Sequence, residues 1–469
     1  MEQKLEKKYG LVTAICMVVG TLIGSGVFFK AQAILQKTGG DMTTGIIAWI
    51  IGGFIMLACI LPFARMAQKY ERVNGIVDYA EATVGSKYAY VIGWFMSTIY
   101  YPSLTSVLAW LSARYTLDFL VSVNPDLSLL IPAAEGGTVV GPECMALTSL
   151  YLVLAYAMNA LSPKLAGKFQ VSTTVIKLIP LGLMAVVGIV YGAANGTLGN
   201  NFDYVSAAPA IDGNPLFVAV CATAFAYEGW IITTSINAEL KDSKKNLPRA
   251  LIIGGIITMA VYILYFVGVA GGATVEQLMG EGATTAFTNV FGGVLGNILN
   301  LFIAISCMGT CNGLMLGCTR GMYALAVRGQ GPAPKTFRQV DEVSNMASNS
   351  SIFALMMCGA WGLYFFLANL AGTWSNIQVL GSAFMVFDSS ELPILTMYAF
   401  YIPIFIAWMK KEKSENALNR FVLPGLAIVG SVFMIAATIL GHRMACVWYL
   451  IVFAIVTAIG LAFVKKSDK

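Results

Sequence analysis

Three consecutive small residues, Gly24, Ser25 and Gly26, lie in the middle of the first apolar run of the chain. Glycine costs a helix about 1 kcal/mol relative to alanine, so the helix is predicted to unwind here. Amides released in hydrocarbon must bind protein, water or a ligand, and the N-terminus of the helix that resumes would attract an anion such as a carboxylate. A close helix contact is the alternative, because Gly20 and Gly24 have GxxxG spacing.

Glu228 is the second residue that could take part in binding or chemistry, because it lies within another apolar run and is followed by Gly229. An ionisable side chain in such a run is energetically costly and indicates a function by default, while the glycine allows a second helix break. Interrupted helices at corresponding places in two halves of a chain are typical of a transporter site. The alternative is a carboxylate that faces the cytoplasm or belongs to a structural ion pair.

Further polar residues interrupt the apolar sequence. A buried lysine such as Lys177 tends to lose its proton or to find a partner. Asp388 and Glu391 lie within the tenth apolar run and mark either a gate or a cavity wall. Four polar residues of the eighth run are predicted to hydrogen-bond across helices rather than to line a cavity. They are Ser306, Thr310, Asn312 and Thr319.

Membrane-spanning helices must position these residues. A span needs about 20 mostly apolar residues. Twelve segments qualify: 10–36, 43–66, 86–119, 145–161, 167–192, 214–238, 248–271, 290–325, 351–370, 380–409, 420–440 and 446–464. No cleavable signal peptide is predicted, so the first segment is interpreted as a retained helix.

The basic residues test this number of spans independently. With twelve helices and the N-terminus inside, Lys and Arg should collect in the cytoplasmic segments. Most of the 29 Lys and Arg residues do so, whereas the external loops 121–144, 193–213 and 272–289 contain none. The sequence therefore predicts a multi-pass protein with both termini cytoplasmic, and its short loops favour a cell (inner) membrane of bacterial type.

Composition and missing motifs exclude other classes. Hydrophobic residues make up 58% of the chain and charged residues 11%, against about a quarter charged in soluble domains. The net charge of +5 comes without a basic stripe, so no nucleic-acid partner is expected. Nine scattered Cys form no CxxC pair, so neither a metal site nor a disulfide framework is predicted. With one histidine, His442, and no HExxH, P-loop or nucleophile elbow, the chain is not expected to be an enzyme.

Three motifs resemble the amino acid–polyamine–organocation superfamily, and within it the L-type amino-acid transporters and their bacterial relatives. The motifs are residues 23–28, residues 225–230, and Glu239 together with residues 244–250. The resemblance covers nearly the whole chain. It implies an all-α, LeuT-like membrane fold in which an inverted five-plus-five helix repeat is followed by two further helices. The implied divisions are 1–9 (cytoplasmic N-terminus), 10–192 (first repeat), 214–409 (second repeat), 420–464 (helices eleven and twelve) and 465–469 (cytoplasmic C-terminus).

The same resemblance implies a substrate site built largely from backbone. Amides around Gly24, Ser25 and Gly26 would bind the substrate carboxylate, and carbonyls near Leu22, Phe225 and Glu228 would bind the α-amino group. Phe225 would also gate the site. The full implied set is Leu22, Gly24, Ser25, Gly26, Phe225, Ala226, Glu228 and Gly229. The family often has a small residue at position 228, so the glutamate here leaves the side-chain preference open.

Lys177 falls, by this resemblance, where sodium-coupled relatives hold a cation. A fixed ammonium there would make transport sodium-independent, and reversible protonation would make it a proton-coupling group. A structural tether between helices one, five and eight is the third interpretation. Tyr262 resembles a family position near this lysine, or else is an ordinary packed aromatic residue.

The predicted function is secondary transport of L-amino acids, neutral and small to medium in size, by alternating access and sodium-independent exchange. Proton-coupled symport and the exchange of cationic amino acids or amines are alternatives, and a nutrient sensor or a channel is the alternative of another class. The expected partners are an amino-acid substrate and membrane lipid, with no obligatory protein partner and no cofactor or metal.

Overall fold

The chain folds almost entirely into helices. The structure is a computed structural model that describes residues 7–24, 26–70, 75–129, 133–134, 138–139, 141–204, 215–224, 226–370, 376–379 and 382–464. In this part of the chain the α-helices, α1 to α20 in order, are Leu11–Leu22, Gly26–Thr38, Met42–Lys69, Gly75–Thr83, Ser86–Phe95, Tyr101–Val123, Pro142–Leu161, Pro163–Leu183, Ile189–Ala194, Thr197–Phe202, Pro215–Ala224, Ser243–Gly272, Val275–Glu281, Ala283–Phe291, Gly293–Val327, Pro334–Phe337, Ser348–Phe365, Leu392–Lys411, Leu423–His442 and Met444–Leu461.

Irregular helical turns and two small hairpins complete the described structure. The π-helical turns are Met96–Tyr100, Met184–Gly188, Phe366–Leu370 and Leu418–Val422. The 3₁₀-helices are Pro125–Leu129 and Trp230–Glu239. Strands β1 (Ala133–Ala134) and β2 (Thr138–Val139) pair antiparallel, as do β3 (Gln378–Val379) and β4 (Ser382–Ala383).

Nine helical stretches in the described residues are long and apolar enough to cross a membrane. They are Met42–Lys69, Pro142–Leu161, Pro163–Ala194, Ser243–Gly272, Gly293–Val327, Ser348–Leu370, Leu392–Lys411, Leu418–Leu440 and Met444–Leu461. Of the other three predicted segments, 10–36 and 214–238 are each divided between two helical elements, and 86–119 covers α5, the π-helical turn Met96–Tyr100 and most of α6. The predicted break in the first segment is confirmed, because α1 ends at Leu22 and α2 begins at Gly26.

Apolar side chains cover the outside of the bundle. Val190 is 63% exposed, Val294 77%, Met356 69% and Val429 68%. A surface this apolar is stable in lipid rather than in water. Together with the nine spans, it indicates a multi-pass membrane protein.

Small residues bring helices close together inside the bundle. A Cβ added to Gly188 would lie 2.3 Å from the Gly268 carbonyl oxygen, and one added to Gly271 would lie 2.0 Å from the Gly188 carbonyl oxygen. The π-helical turn after α8 can therefore contact α12 only because both carry glycine. Such contacts replace the hydrophobic effect as the source of helix association in lipid.

The prediction for the tenth segment is wrong at its start. Residues 380–409 form one apolar run, but the helix α18 begins only at Leu392. Asp388 and Glu391 therefore lie just before a helix rather than inside one. The Asp388 carboxylate accepts hydrogen bonds from the amides of Ser390 and Glu391, which is a turn that hydropathy does not distinguish from a helix.

The bundle has two ends, which we name after one arginine at each. The Arg320 end contains the C-terminal ends of α3, α15 and α18, where Lys69 pairs with Glu412 and Arg328 pairs with Glu81. The Arg114 end contains the C-terminal ends of α2 and α6 together with α13 and α14. The predicted site lies between these two ends.

Candidate substrate site

The break in the first span is a tight turn between α1 and α2. The Gly24 amide donates to the Leu22 carbonyl oxygen at 3.0 Å, so in this structure that amide is occupied within its own turn. Helix α2 then starts at Gly26, and the first amides of any helix have no acceptor within the helix. Ser25 lies outside the described residues. Donors for an anion are thus expected from the first turn of α2.

Gly20 and Gly24 differ in their surroundings. A Cβ at Gly20 would lie 2.3 Å from Gln170 Nε2 and 2.5 Å from Thr174 Oγ1, whereas at Gly24 the nearest atom, Thr310 Oγ1, would be 3.4 Å away. The helix-contact interpretation therefore fits Gly20, which packs on α8. It does not account for Gly24.

Lys177 of α8 is fully buried and fixes the break from one side. Its ammonium donates to the carbonyl oxygens of Gly20 (2.9 Å), Ile23 (2.5 Å) and Ser306 (3.0 Å), and lies 3.2 Å from Thr310 Oγ1. An ammonium has three hydrogens, so these four oxygens satisfy it. The group joins α1, α8 and α15, which are the first, fifth and eighth predicted helices.

Polar side chains of α15 hold the same turn. The Ser306 hydroxyl lies 3.1 Å from the carbonyl oxygens of both Ile23 and Gly24, and Thr310 Oγ1 lies 2.8 Å from the Gly20 carbonyl oxygen. Asn312 donates to Gln170 Oε1 at 2.9 Å. The predicted cross-helix bonding is therefore confirmed for these three residues, and Thr310 in addition lines a cavity. The prediction is wrong for Thr319, whose hydroxyl donates to Leu316 in its own helix.

The second break lies between α11 and the 3₁₀-helix that starts at Trp230. Gly229 has a φ of +118°, a conformation that a side chain strongly disfavours. A Cβ there would also lie 2.8 Å from the carbonyl oxygen of Thr21. The two breaks are therefore in contact, and glycine at 229 permits that contact. Phe225 lies outside the described residues.

Tyr262 of α12 joins the two breaks. Its hydroxyl lies 2.8 Å from the Leu22 carbonyl oxygen and 2.9 Å from that of Ala226, and its single hydrogen can serve one of them at a time. Tyr262 thus contacts backbone oxygens at both breaks. The Leu22 carbonyl oxygen is one of those predicted to bind the substrate amino group.

Glu228 is 4% exposed and lies beside the same turn. The hydroxyl of Tyr100 donates to its Oε1 at 2.6 Å, and Oε2 has no hydrogen-bond partner among the described residues. No ion pair to Glu228 is present in the described part of the chain. In this structure the Glu228 carboxylate is therefore buried and not ion-paired with any described residue.

A small cavity lies where the breaks meet. Its volume is about 20 Å³, and its wall includes Gly24, Gly26, Ala226, Glu228 and Gly229. Leu22, Leu108 and Thr310 line it as well. This space is enough for about one water molecule, so a larger ligand would require the walls to move apart.

Ion pairs lie at both ends of the bundle. At the Arg320 end, Arg320 and Glu239 form a buried pair, with Arg320 Nη2 2.9 Å from Glu239 Oε2. At the Arg114 end, Lys30 Nζ lies 2.9 Å from Glu391 Oε1, and His442 Nε2 lies 3.0 Å from Glu391 Oε2. These pairs join elements across the bundle on either side of the cavity.

Sequence reasoning missed Tyr100 and Arg320. Tyr100 lies 128 positions before Glu228, and no local pattern connects them. Arg320 did carry a signal, because a charged residue within the apolar part of α15 requires a partner. Glu239 of the third motif was the available carboxylate, so that pair was predictable.

Two interrupted helices that meet at a closed cavity inside a membrane-spanning bundle define a membrane transport protein. The chain belongs to the amino acid permease family, whose sequence model matches residues 9–462. This membership confirms the resemblance drawn from the motifs and identifies a transporter rather than an enzyme.

Similar proteins are known from bacteria and mammals. The serine/threonine exchanger SteT of Bacillus subtilis (strain 168) is 29% identical over 452 residues, which cover 94% of this chain and 93% of that protein. The large neutral amino acids transporter small subunit 2 of Homo sapiens is 27% identical over 334 residues, 70% of this chain and 59% of that protein. Asc-type amino acid transporter 1 of Mus musculus is 23% identical over 448 residues, 94% of this chain and 78% of that protein.

Proposed function

We propose that this permease exchanges neutral L-amino acids of small to medium size across a cell (inner) membrane by alternating access, without sodium. The contact between the two helix breaks is the observation that carries the proposal. There the first turn of α2 offers amide donors for a carboxylate, and the carbonyl oxygens of Leu22 and Ala226 offer acceptors for an ammonium. An α-amino acid presents both groups on one carbon. Exchange is supported by the names of relatives such as the serine/threonine exchanger.

We extend the proposal to the whole topology. The nine spans, with the three divided segments added, amount to twelve crossings. An inverted repeat of residues 10–192 and 214–409, followed by 420–464, is supported by the equivalent places of the two breaks in its halves. The Arg320 end faces the cytoplasm, and so do both termini, because most described Lys and Arg residues outside the spans lie at that end.

Sodium independence is argued from Lys177. Carbonyl and hydroxyl oxygens are the ligands that hard cations prefer in proteins, and four such oxygens surround the Lys177 ammonium. The ammonium therefore occupies the position that a small cation would take, and sodium has no place there. Reversible release of the Lys177 proton would instead couple transport to a pH gradient.

The test is uptake of radiolabelled amino acids into proteoliposomes, with L-serine, L-threonine, L-leucine, L-glutamate and L-lysine as the panel. Each is measured with and without an internal amino acid, a sodium gradient and a pH gradient. The proposal expects uptake that needs internal amino acid and ignores both gradients. If the pH gradient drove uptake into vesicles without internal amino acid, the mechanism would be proton symport rather than exchange.

A second candidate function is exchange of a cationic amino acid or its amine. It is favoured by the buried Glu228 carboxylate in the cavity wall, which would attract a positively charged side chain. Glu228→Gln separates the two candidates, because it removes the charge and keeps the shape. A cationic substrate should lose at least about tenfold in apparent affinity, since charge-assisted hydrogen bonds are the strong ones. A neutral substrate should be carried by both forms.

A further inference from the structure

A second, larger cavity of about 390 Å³ lies at the Arg114 end. Its walls come from α2, α6, α15 and the junction between α13 and α14. The polar part of its lining consists of Gln32, Arg114, Tyr115, Asp118, Glu281, Thr284 and Asn300. We call this space the outer vestibule.

The outer vestibule and the central cavity lie along the same helix faces. On α6, Leu108 lines the central cavity and Leu111 lines the vestibule, one turn further on. On α15, Thr310 lines the central cavity and Ile303 lines the vestibule, two turns apart. Residues at these spacings share one face of a helix, so a molecule leaving the vestibule toward the centre of the bundle meets the central cavity.

Both signs of charge are present in this one space. The guanidinium of Arg114 lies over the rings of Trp110 and Tyr115, at 5.8 and 5.5 Å. Its Nε is 3.7 Å from Asp118 Oδ2, so the two side chains form an ion pair one helical turn apart. The side chains of Arg114 and Asp118 are 27% and 17% exposed. They are therefore partly withdrawn from water, where a charged ligand group would bind more strongly than at an open surface.

The wall that faces α6 is fixed in place. Gln32 Nε2 donates to the carbonyl oxygens of Met279 and Gly280, both at 3.0 Å. The Thr285 hydroxyl donates to the Glu281 carboxylate. These bonds hold the end of α13 against α2 and orient Glu281, so this wall of the vestibule is formed and carries a second, solvent-exposed carboxylate.

We propose that the outer vestibule binds a zwitterionic α-amino acid before it reaches the central cavity. Arg114 binds the carboxylate of the ligand, and Asp118 and Glu281 bind its ammonium group. A zwitterion matches because the guanidinium and the carboxylates lie in one pocket, whereas a simple amine would meet the Arg114 charge and a simple carboxylate would meet the two acids. The role in uptake rests on the proposed function, but the binding itself does not.

The test isolates vestibule binding from transport. Thr284 is exposed and lines the vestibule, so Thr284→Cys reports on it through its reaction with a membrane-impermeant methanethiosulfonate reagent. Among the cysteines whose side chains the structure describes, only Cys16 is not buried, and the protein without the reporter gives the background. The reporter is combined with Gly26→Leu, which blocks the central cavity. Protection by L-threonine and by L-threoninol, which lacks the carboxylate, is then measured.

L-Threonine is expected to protect the Thr284→Cys reporter in the Gly26→Leu background, with a half-protecting concentration at least about tenfold below that of L-threoninol. Adding Arg114→Gln should raise the half-protecting concentration of L-threonine at least about tenfold. Adding Arg443→Gln, which removes an exposed arginine elsewhere at this end, should leave it unchanged. Equal protection by the two compounds, or an Arg114→Gln variant equal to Arg443→Gln, would overturn the proposal.

Failure of the vestibule and failure of the proposed function give different results. In one case, the reporter is protected in the Gly26→Leu background, but the protein without these substitutions shows no amino-acid exchange. This result would support vestibule binding and contradict the proposed function. The opposite result is exchange without any protection of the Thr284→Cys reporter, and likewise none of Asn300→Cys, a second reporter in the same pocket. That result would contradict binding in the vestibule and leave the proposed function intact.

Discussion

Lys177 shows how one side chain determines the local backbone. Its ammonium supplies donors to carbonyl oxygens that the break in the first span releases. In the Lys177→Ala variant these buried oxygens lose the ammonium and keep only the hydroxyl donors of Ser306 and Thr310, and each oxygen left unpaired costs about 1–3 kcal/mol. We therefore expect exchange at least about tenfold slower, measured as initial uptake into proteoliposomes. Lys168→Ala, an exposed lysine of the same helix, should have no effect. If Lys177→Ala had the same exchange rate and the same pH response as the wild type, Lys177 would be only a structural tether between helices.

Gly26 carries the second prediction at the scale of the residue. A leucine at this position would place its side chain in the central cavity, which has room for about one water molecule. Gly26→Leu should therefore abolish uptake while its size-exclusion profile and thermal unfolding stay close to those of the wild type. Gly182→Leu is the matched control, because a Cβ at Gly182 meets nothing within 4 Å. Normal uptake by Gly26→Leu would exclude the first turn of α2 as a binding site.

Individual residues differ in how far the sequence could predict them. Gly24 and Gly26 were predictable because glycine inside an apolar run has a local energetic cost. Glu228 was predictable because a carboxylate in hydrocarbon is rare. Tyr100 was not, since a tyrosine in an apolar run has many ordinary uses and its partner lies far away in the chain.

Between elements, the buried pair of Arg320 and Glu239 joins α15 to the 3₁₀-helix after the second break. The Glu239 carbonyl oxygen also accepts from the amides of Lys8 and Tyr9, at 2.8 and 3.0 Å. Arg320→Met removes the hydrogen-bonded partner of the buried Glu239 carboxylate and leaves it only the Lys8 ammonium at 3.9 Å. Breaking a buried pair in this way costs up to about 3–5 kcal/mol. We expect a lower melting temperature in detergent and a lower exchange rate.

The matched variant is the double substitution Arg320→Met with Glu239→Gln. It removes both charges, so most of the lost stability should return. A double variant as unstable as Arg320→Met alone would mean that packing of the arginine, rather than its charge, holds these elements together.

The segment between α18 and α19 is tied to α3 by Glu415, which lies 2.9 Å from both Arg65 and Lys69. The hydrogen bond from Lys69 is the largest cause that lowers the pKa of Glu415, and Arg65 adds to it against an opposing effect of burial. A lowered pKa in the folded state stabilises the protein above the unfolded value of about 4.3 and ceases to do so as the pH falls through the folded value.

Glu415→Gln should therefore lower the melting temperature at pH 7, and its difference from the wild type should shrink as the pH falls below about 4. Glu342→Gln, at an exposed position, is the control and should match the wild type throughout. A difference for Glu415→Gln that does not change with pH would mean that the carboxylate charge is not what ties this segment to α3.

At the level of elements, hydropathy predicted membrane segments better than it predicted backbone conformation. The run 380–409 is mostly apolar, yet its described part starts with β4 and a turn before α18. Likewise, the π-helical turns at Met96–Tyr100 and Met184–Gly188 leave no mark in an apolar sequence. Apolar content determines what can lie in lipid, whereas packing against neighbouring helices decides where each helix bends.

The molecule as a whole places apolar residues outside and polar ones at its centre. Val294 and Val429 face outward, while Lys177 and Glu228 are buried beside the two breaks. Charge placement along the sequence predicts twelve crossings with both termini cytoplasmic, and the nine long apolar stretches among the described residues agree with a multi-pass protein. The contact between the breaks was not predictable from it, because that contact depends on the packing of α1, α8, α12 and α15.

Efflux from preloaded proteoliposomes tests the central claim, that the contact between the two breaks is an amino-acid exchange site. Vesicles containing radiolabelled L-threonine are diluted into buffer with or without external L-threonine. The account predicts that label leaves only when external amino acid is present, that Gly26→Leu retains its label in both buffers, and that Gly182→Leu behaves like the wild type. Equal loss of label without external amino acid, or exchange by Gly26→Leu, would contradict it.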